Sequence, residues 1–277
     1  MPSILITGVS TGIGRACANL YVERGWAVTG TVRNTSQRPT GLDARVALEA
    51  LDLNSRGSAA ELAQRVRTHT GCPDTLLNNA GIVQFGALED VTAEELERIF
   101  QVNVFGQLEL IRGLVPAMRD RGRGVIANVT SLGGMITFPF FAAYNSTKWA
   151  LEGASEGLWH ELKPFGIHVK AIEPGFVETA IWNKALSATS EVGAQPKGTP
   201  AYASYLQAMT DFDAGITNRT TPEAAAVAIA AAIADESDRL RYPVAAYARS
   251  IATARRVLGG QRLMRFFHAR WMGPDAG

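Results

Sequence analysis

Seven short, β-rich apolar runs alternate with longer helical stretches along this chain, and that alternation limits the fold more than any other feature. The runs are 3–7 (SILIT), 26–32 (WAVTGTV), 46–51 (VALEAL), 75–79 (TLLNN), 124–129 (GVIANV), 167–172 (IHVKAI) and 239–244 (RLRYPV). Several are apolar throughout, as strands buried on both faces are. Between them lie helical patterns such as GRACANLYVERG and the long TAEELERIFQVNVFGQLELIRGLVPAMRDRG. Strand-helix-strand alternation predicts an α/β fold: a doubly wound, mostly parallel seven-stranded sheet with helices on both faces, its ligands beyond the carboxyl ends of the strands. One domain spanning 1–277 is expected, because nothing in the composition breaks the chain in two. Within it, 178–220 mixes Ser, Thr, Gly and Pro between a strand and a helix and reads as a substrate loop.

Charge and cysteine content narrow the functional classes. A formal charge of +1 gives no general pull toward nucleic acid, so a small-molecule partner is expected. Cys17 and Cys72 have no metal-ligand or redox spacing, and no metal site is expected. The start lacks a basic segment followed by a long apolar one, so no signal peptide is expected. The apolar run AAAVAIAAAIA at 224–234 is too short to span a bilayer and follows a Thr-Pro-Glu helix start. These features together predict a reduced, cytoplasmic protein.

The first strand runs into TGVSTGIG, Thr7 to Gly14, and then a helix. Gly8 allows the turn, Gly12 allows close approach of a pyrophosphate, and Gly14 allows the helix to pack on the strand. The helix N-terminus, with Ser10, Thr11 and Ile13 around it, supplies amides and positive dipole for phosphate. A carboxylate for the ribose hydroxyls is expected at the end of the second strand of an NAD binder, but Val32 and Arg33 stand there. A neutral residue followed by a guanidinium suits a 2′-phosphate, so NADP(H) is expected over NAD(H), with Arg15 as a second candidate for that phosphate.

In AAYNSTKWA, 142–150, Tyr144 lies four residues before Lys148. On a helix the two share a face, either as a phenol packed on a lysine stem or as an acid/base whose phenol a cation activates.

Taken together, TGVSTGIG, NNAG at 78–81, Asn103, Ser131, YNSTK and IEPGFVET at 172–179 resemble the short-chain dehydrogenase/reductase family over roughly residues 3–180. Ser131 precedes Tyr144 by thirteen residues, the usual interval in that family. The resemblance implies a Rossmann-like domain in which Tyr144 exchanges a proton with the substrate oxygen and Lys148 binds the nicotinamide ribose and lowers the phenol's pKa. Ser131 would hydrogen-bond the substrate oxygen, and Asn103 would help hold a water that passes protons to Lys148. It further implies that Asn79, Ala80 and Gly81 line the cofactor, with Asp52 and Leu53 near the adenine. Pro174, Gly175, Val177 and Thr179 would lie by the nicotinamide. Asp52 has a second reading as a turn cap after the third strand, and Asn78 as a purely structural residue. The pattern looks most like the branch that includes hydroxysteroid and retinol dehydrogenases, built as homodimers or homotetramers. The activity implied is that of a carbonyl reductase or alcohol dehydrogenase; the alternative is a non-catalytic NADPH-binding sensor or scaffold on the same fold.

Apolar residues crowd the segment between Ser131 and Tyr144. Met135, Phe138 and Phe141, with Phe85 before them and Trp182 after, predict a pocket for a lipid-, steroid- or retinoid-like substrate. From Arg239 to Arg270 there are eight arginines and no acid, and 245–277 forms a basic C-terminal extension. Packing of this tail on its own core or on a neighbouring subunit is preferred to insertion of Phe266, Phe267 and Trp271 into a membrane surface.

Overall fold

The computed structural model describes residues 1–69, 71–179, 207, 211 and 213–272. Its strands are β1 (Ser3–Ile6), β2 (Ala27–Val32), β3 (Ala47–Ala50), β4 (Thr75–Asn78), β5 (Gly124–Val129), β6 (Ile167–Pro174) and β7 (Arg241–Val244). They form one all-parallel sheet in the order β3-β2-β1-β4-β5-β6-β7. The strand order therefore reverses between β1 and β4, and a crevice opens there beyond the carboxyl ends, where doubly wound sheets bind ligands.

Alternation along β1 divides the core. Ile4 and Ile6 pack with α1 (Gly12–Glu23) and α6 (Pro222–Ala234) on one face, while Leu5 packs with α2 (Ser58–His69) and α4 (Gly106–Arg121) on the other. The Ala-rich α6 buries Ala225, Ala226, Ile229 and Ala230 against α1, and its small side chains allow that close packing.

The helical pattern that begins at Thr92 is broken into three pieces rather than one long helix. Thr92 caps α3 (Ala93–Phe100): its hydroxyl accepts from Glu95 N at 3.2 Å and Glu95 Oε2 accepts from Thr92 N at 3.0 Å. A π-helical turn, Gln101–Phe105, then leads into α4. Widened turns of this kind occur frequently at functional sites. Here the turn buries Asn103, whose amide grips the backbone of Ile82 from both sides, accepting from its N–H at 2.9 Å and donating to its carbonyl at 2.8 Å.

The long α5 (Ala142–Leu162) follows β5 and is tied to the sheet by a buried polar chain. Asn78 of β4 donates to Asn128 Oδ1 of β5 at 3.0 Å, and Asn128 donates to Ser155 Oγ of α5 at 2.9 Å. Asn78 thus has the structural role open to it from sequence. After β7, α7 (Ala248–Leu258) and α8 (Gly260–Met272) fold back over the carboxyl end of the sheet. Leu263 is buried there, and Phe267 packs against the aromatic clusters around Phe138 and Phe141, whereas Phe266 is exposed. Packing on its own core therefore describes Leu263 and Phe267 of the basic tail; the side chain of Trp271 lies outside the described residues.

Asn128→Ala leaves Asn78 and Ser155 without a shared partner and should cost about 1–3 kcal/mol for each buried group orphaned. Urea denaturation with an unchanged m-value is the check.

Candidate active site

The loop after β1 meets the loop after β4 through one side chain. Buried Thr7 accepts on its hydroxyl from Asn79 N at 2.9 Å and Ala80 N at 3.0 Å, and Asn79 donates back to the carbonyls of Thr7 and Gly8 at 3.0 and 3.1 Å. Gly8 has φ +72° and lies so near Ala80 that a Cβ would come within 3.0 Å of it. Gly14 is tighter still, since a Cβ there would stand 2.1 Å from Gly8 O. Thr11 is the N-cap of α1 and makes no side-chain cap hydrogen bond, so the first-turn amides of Gly12, Ile13 and Gly14 are left for a ligand. Exposed Ser10 flanks this turn, and Thr179 sits over it, with its Cγ2 3.1 Å from where a Gly12 Cβ would be. The arrangement fits a dinucleotide pyrophosphate, and it brings the three glycines together with Asn79, Ala80 and Thr179.

At the end of β2, Val32 is buried and Arg33 is exposed, with no ion pair to Arg33 among the described residues. Arg15 reaches the same loop and donates to Thr40 O at 2.8 Å. Asp52 caps the turn after β3 by accepting from Asn54 N at 3.1 Å, as its second reading anticipates. The Leu53 side chain belongs to the core against Gly106, because α4 crosses directly above it.

The reactive residues converge on the same end of the sheet. Ser131 follows β5 in extended conformation, and its hydroxyl accepts from Gly133 N at 3.0 Å. Tyr144 and Lys148 share a face of α5, the Lys148 ammonium standing 5.8 Å from the Tyr144 ring centre. Lys148 is buried and donates to Val129 O at 3.0 Å. Asn103 secures this helix by donating to Thr147 Oγ1 at 3.1 Å, and Thr147 donates to Tyr144 O at 2.7 Å. Gly81 joins the group, since a Cβ there would lie 3.2 Å from Asn103 Oδ1 and 3.8 Å from Lys148 Nζ.

Burial dominates the electrostatics. It raises the Tyr144 phenol above its ordinary value, and the hydrogen bond with Ser131 acts in the opposite direction. Desolvation also lowers the Lys148 ammonium to about 8, against the upward pull of the Glu152 carboxylate. Burial thus favours the neutral form of both groups, the phenol holding its proton more tightly and the ammonium losing its own more readily.

Above Ser131 and Tyr144 lies a small cleft walled by Phe138, Phe141, Phe176 and Gly175, with Asn145 behind. Phe85 supports it from outside through a tilted ring contact with Phe141 at 4.9 Å. Met135 faces Leu263 and Phe176 in the adjoining cluster, and Trp182 lies outside the described residues. Pro174 ends β6, and buried Val177 bridges to Thr220. Phe176, Leu263, Phe267 and Thr7 are the contributors that sequence reasoning missed. Phe267 is separated from Tyr144 by more than a hundred residues, and no local pattern connects them. Among the described residues no His, Cys, Asp or Glu cluster suits a metal.

The whole arrangement is that of a nicotinamide-dependent dehydrogenase or reductase, and comparison with known proteins gives the same class. The profile of the short chain dehydrogenase family matches residues 2–190. An uncharacterized oxidoreductase of Schizosaccharomyces pombe is 37% identical over 206 residues, covering 73% of this chain and 83% of that protein. Human 17-beta-hydroxysteroid dehydrogenase type 1 is 35% identical over 199 residues, covering 68% of this chain and 61% of that protein. The crystal structure of a short-chain dehydrogenase from Streptomyces avermitilis superposes with a TM-score of 0.80 at 33% identity, covering 96% of this chain and 97% of that one. The chain belongs to the short-chain dehydrogenase/reductase family.

Gly14→Ala must push the Gly8 carbonyl aside, at a strain of about 1–3 kcal/mol. If the nucleotide loop absorbs that strain, affinity for a nicotinamide cofactor should fall roughly 10–100-fold, read by fluorescence titration.

Proposed function

We propose that this protein is an NADP(H)-dependent oxidoreductase that exchanges hydride between nicotinamide and the carbonyl or secondary alcohol of an apolar substrate. The observation that carries the reading is the meeting of the Ser131 and Tyr144 hydroxyls at the floor of an apolar cleft, with Lys148 buried on the same helical face. Its catalytic residues are Asn103, Ser131, Tyr144 and Lys148.

When bound, the reduced cofactor supplies the hydride. Ser131 and Tyr144 orient the carbonyl oxygen, on which negative charge develops, by donating hydrogen bonds to it. Tyr144 gives up its hydroxyl proton to that oxygen, and Lys148 stabilises the resulting phenolate. Asn103 fixes α5 and the 81–82 backbone so that phenol and ammonium keep their spacing. The cleft walls of Phe138, Phe141 and Phe176 exclude water and so strengthen these charge interactions.

The cofactor would be held by Gly8, Ser10, Thr11, Gly12, Ile13 and Gly14, by Asn79, Ala80 and Gly81, and by Pro174, Gly175, Val177 and Thr179. Choice of NADP(H) rests on Arg33 and on the absence of a carboxylate at buried Val32. An apolar substrate is supported by the aromatic walls and by the hydroxysteroid in the name of the human relative. A homodimer or homotetramer through α4 with the turn before it and α5, where Phe105 is 55% and Trp149 40% exposed, belongs to the same proposal. So do a cytoplasmic location, a single domain over 1–277 and a substrate loop over 178–220, most of which lies outside the described residues. No helix among the described residues is long and apolar enough to cross a membrane.

Tyr144→Phe should lower kcat for NADPH-dependent ketone and aldehyde reduction by about 10²–10⁴-fold with cofactor affinity retained, measured by nicotinamide absorbance on substrates from short ketones to steroids and retinoids. Tight NADPH binding with no turnover of any of them by the wild type would favour the sensor. Val32→Asp combined with Arg33→Ala should reverse the cofactor preference, since each charged hydrogen bond contributes about 1.5–3 kcal/mol, roughly tenfold or more in affinity. An unchanged ratio of NADPH to NADH dissociation constants would remove the assignment.

A further inference from the structure

Behind the catalytic pair lies a buried ionic cluster that the reaction does not use directly. Glu152 is one turn beyond Lys148 on the same face of α5, and Glu173 lies on β6 immediately before Pro174 and the cleft-lining Gly175. Their side chains are 6% and 2% exposed. Arg241 of β7 serves both: its Nε donates to Glu152 Oε2 at 3.0 Å and stands 4.0 Å from Glu173 Oε1. Its Nη2 reaches outward to Glu156 Oε2 at 2.6 Å. Glu152 Oε1 and Glu173 Oε1 are buried with no hydrogen-bond partner among the described residues. Thr130 lies beside Glu152, but its hydroxyl proton goes to Ile172 O at 2.8 Å. The other charged groups facing the cluster are Lys148 from α5, Arg239 beside β7 and Arg255 from α7.

Arg241 gives its close hydrogen bonds to Glu152 and Glu156, so an ionised Glu173 would stand 4.0 Å from the guanidinium with its buried Oε1 unbonded; the buried pair therefore retains a proton that it titrates jointly. The close contact with Arg241 assigns the ionised form to Glu152 and the proton to Glu173. We propose that Glu152 is a positioning residue for Lys148: held ionised by Arg241 while Glu173 carries the proton, its carboxylate keeps the buried Lys148 an ammonium. This rests on the reading of Tyr144 and Lys148 as catalytic. Burial, followed by the charge of Glu152, raises Glu173 to about 8; burial raises Glu152 as well, but there the charge and hydrogen bond of Arg241 act against it, and Glu152 in turn opposes the desolvation that lowers Lys148.

The test follows the Lys148 ε-carbon by NMR in carbon-13 lysine-labelled protein across pH, its signal identified by its loss in Lys148→Met. Glu152→Gln should move the Lys148 titration acidward by about one pH unit, and the alkaline limb of kcat/KM for NADPH-dependent reduction should move with it; Glu152→Asp should restore both. An unmoved Lys148 titration in Glu152→Gln overturns the proposal whether or not the protein turns over a carbonyl. A moved titration in a protein that reduces nothing upholds it and defeats the catalytic reading alone. Glu173→Gln tests the proton assignment by a second route. The folded value of Glu173 is raised above its ordinary 4.5 to about 8, so the wild type binds more protons folded than unfolded in that window and loses stability as pH rises through it. Glu173→Gln does not titrate, so its denaturation midpoint should gain on the wild type progressively between those values; a constant difference overturns the assignment.

Discussion

The active end of this protein depends on a lysine ammonium kept out of water. Lys148 is 5% exposed, and Val129 O, at the last residue of β5, receives its hydrogen bond. An isolated charge in such surroundings is costly, and proteins keep one only where other groups compensate it. Here the compensation is spread over the strand carbonyl, the Glu152 carboxylate one turn along and the Tyr144 ring on the preceding turn. The polar chain from Asn78 through Asn128 to Ser155 fixes the depth of α5 against the sheet, and with it the reach of Lys148 to β5.

Around that point the strand reversal between β1 and β4 brings two loops together. Thr7 joins them, with its hydroxyl accepting from the backbone of both Asn79 and Ala80. The same reversal explains the steric pressure on the glycines: the loop after β1 has to pass over the 79–81 backbone with no room for a Cβ at Gly14. The first turn of α1 and the face of α5 therefore open on one crevice at the carboxyl end of the sheet.

Most of the sheet could be read from the chain because its strands are short and apolar and its helices long and periodic; β5, for instance, coincides with the 124–129 run. The glycine loop and the Tyr144, Lys148 pair were legible for the same reason, since each is defined by spacing within one element. The π-helical turn at Gln101–Phe105 was not, because residues there continue a helical periodicity and the widened backbone bond from Gly106 N to Gln101 O leaves no mark in the sequence. The burial of the Leu53 side chain beneath α4 was not legible either, because Gly106 lies more than fifty residues further along the chain. Phe176 lines the cleft, and Leu263 and Phe267 pack into the clusters behind its walls, from segments with no common motif.

By itself, the sequence determined the class of fold, the nucleotide-loop geometry and the chemical identity of the reactive groups, because these follow from local periodicity, from backbone freedom at glycine and from the side chains themselves. Only the tertiary structure decided how dry those groups are, which carboxylates Arg241 holds beside Lys148, and which aromatic rings close the cleft. Burial and charge pairing are properties of residues far apart in the chain, and they exist only once β5, β6, β7 and α5 have been packed together.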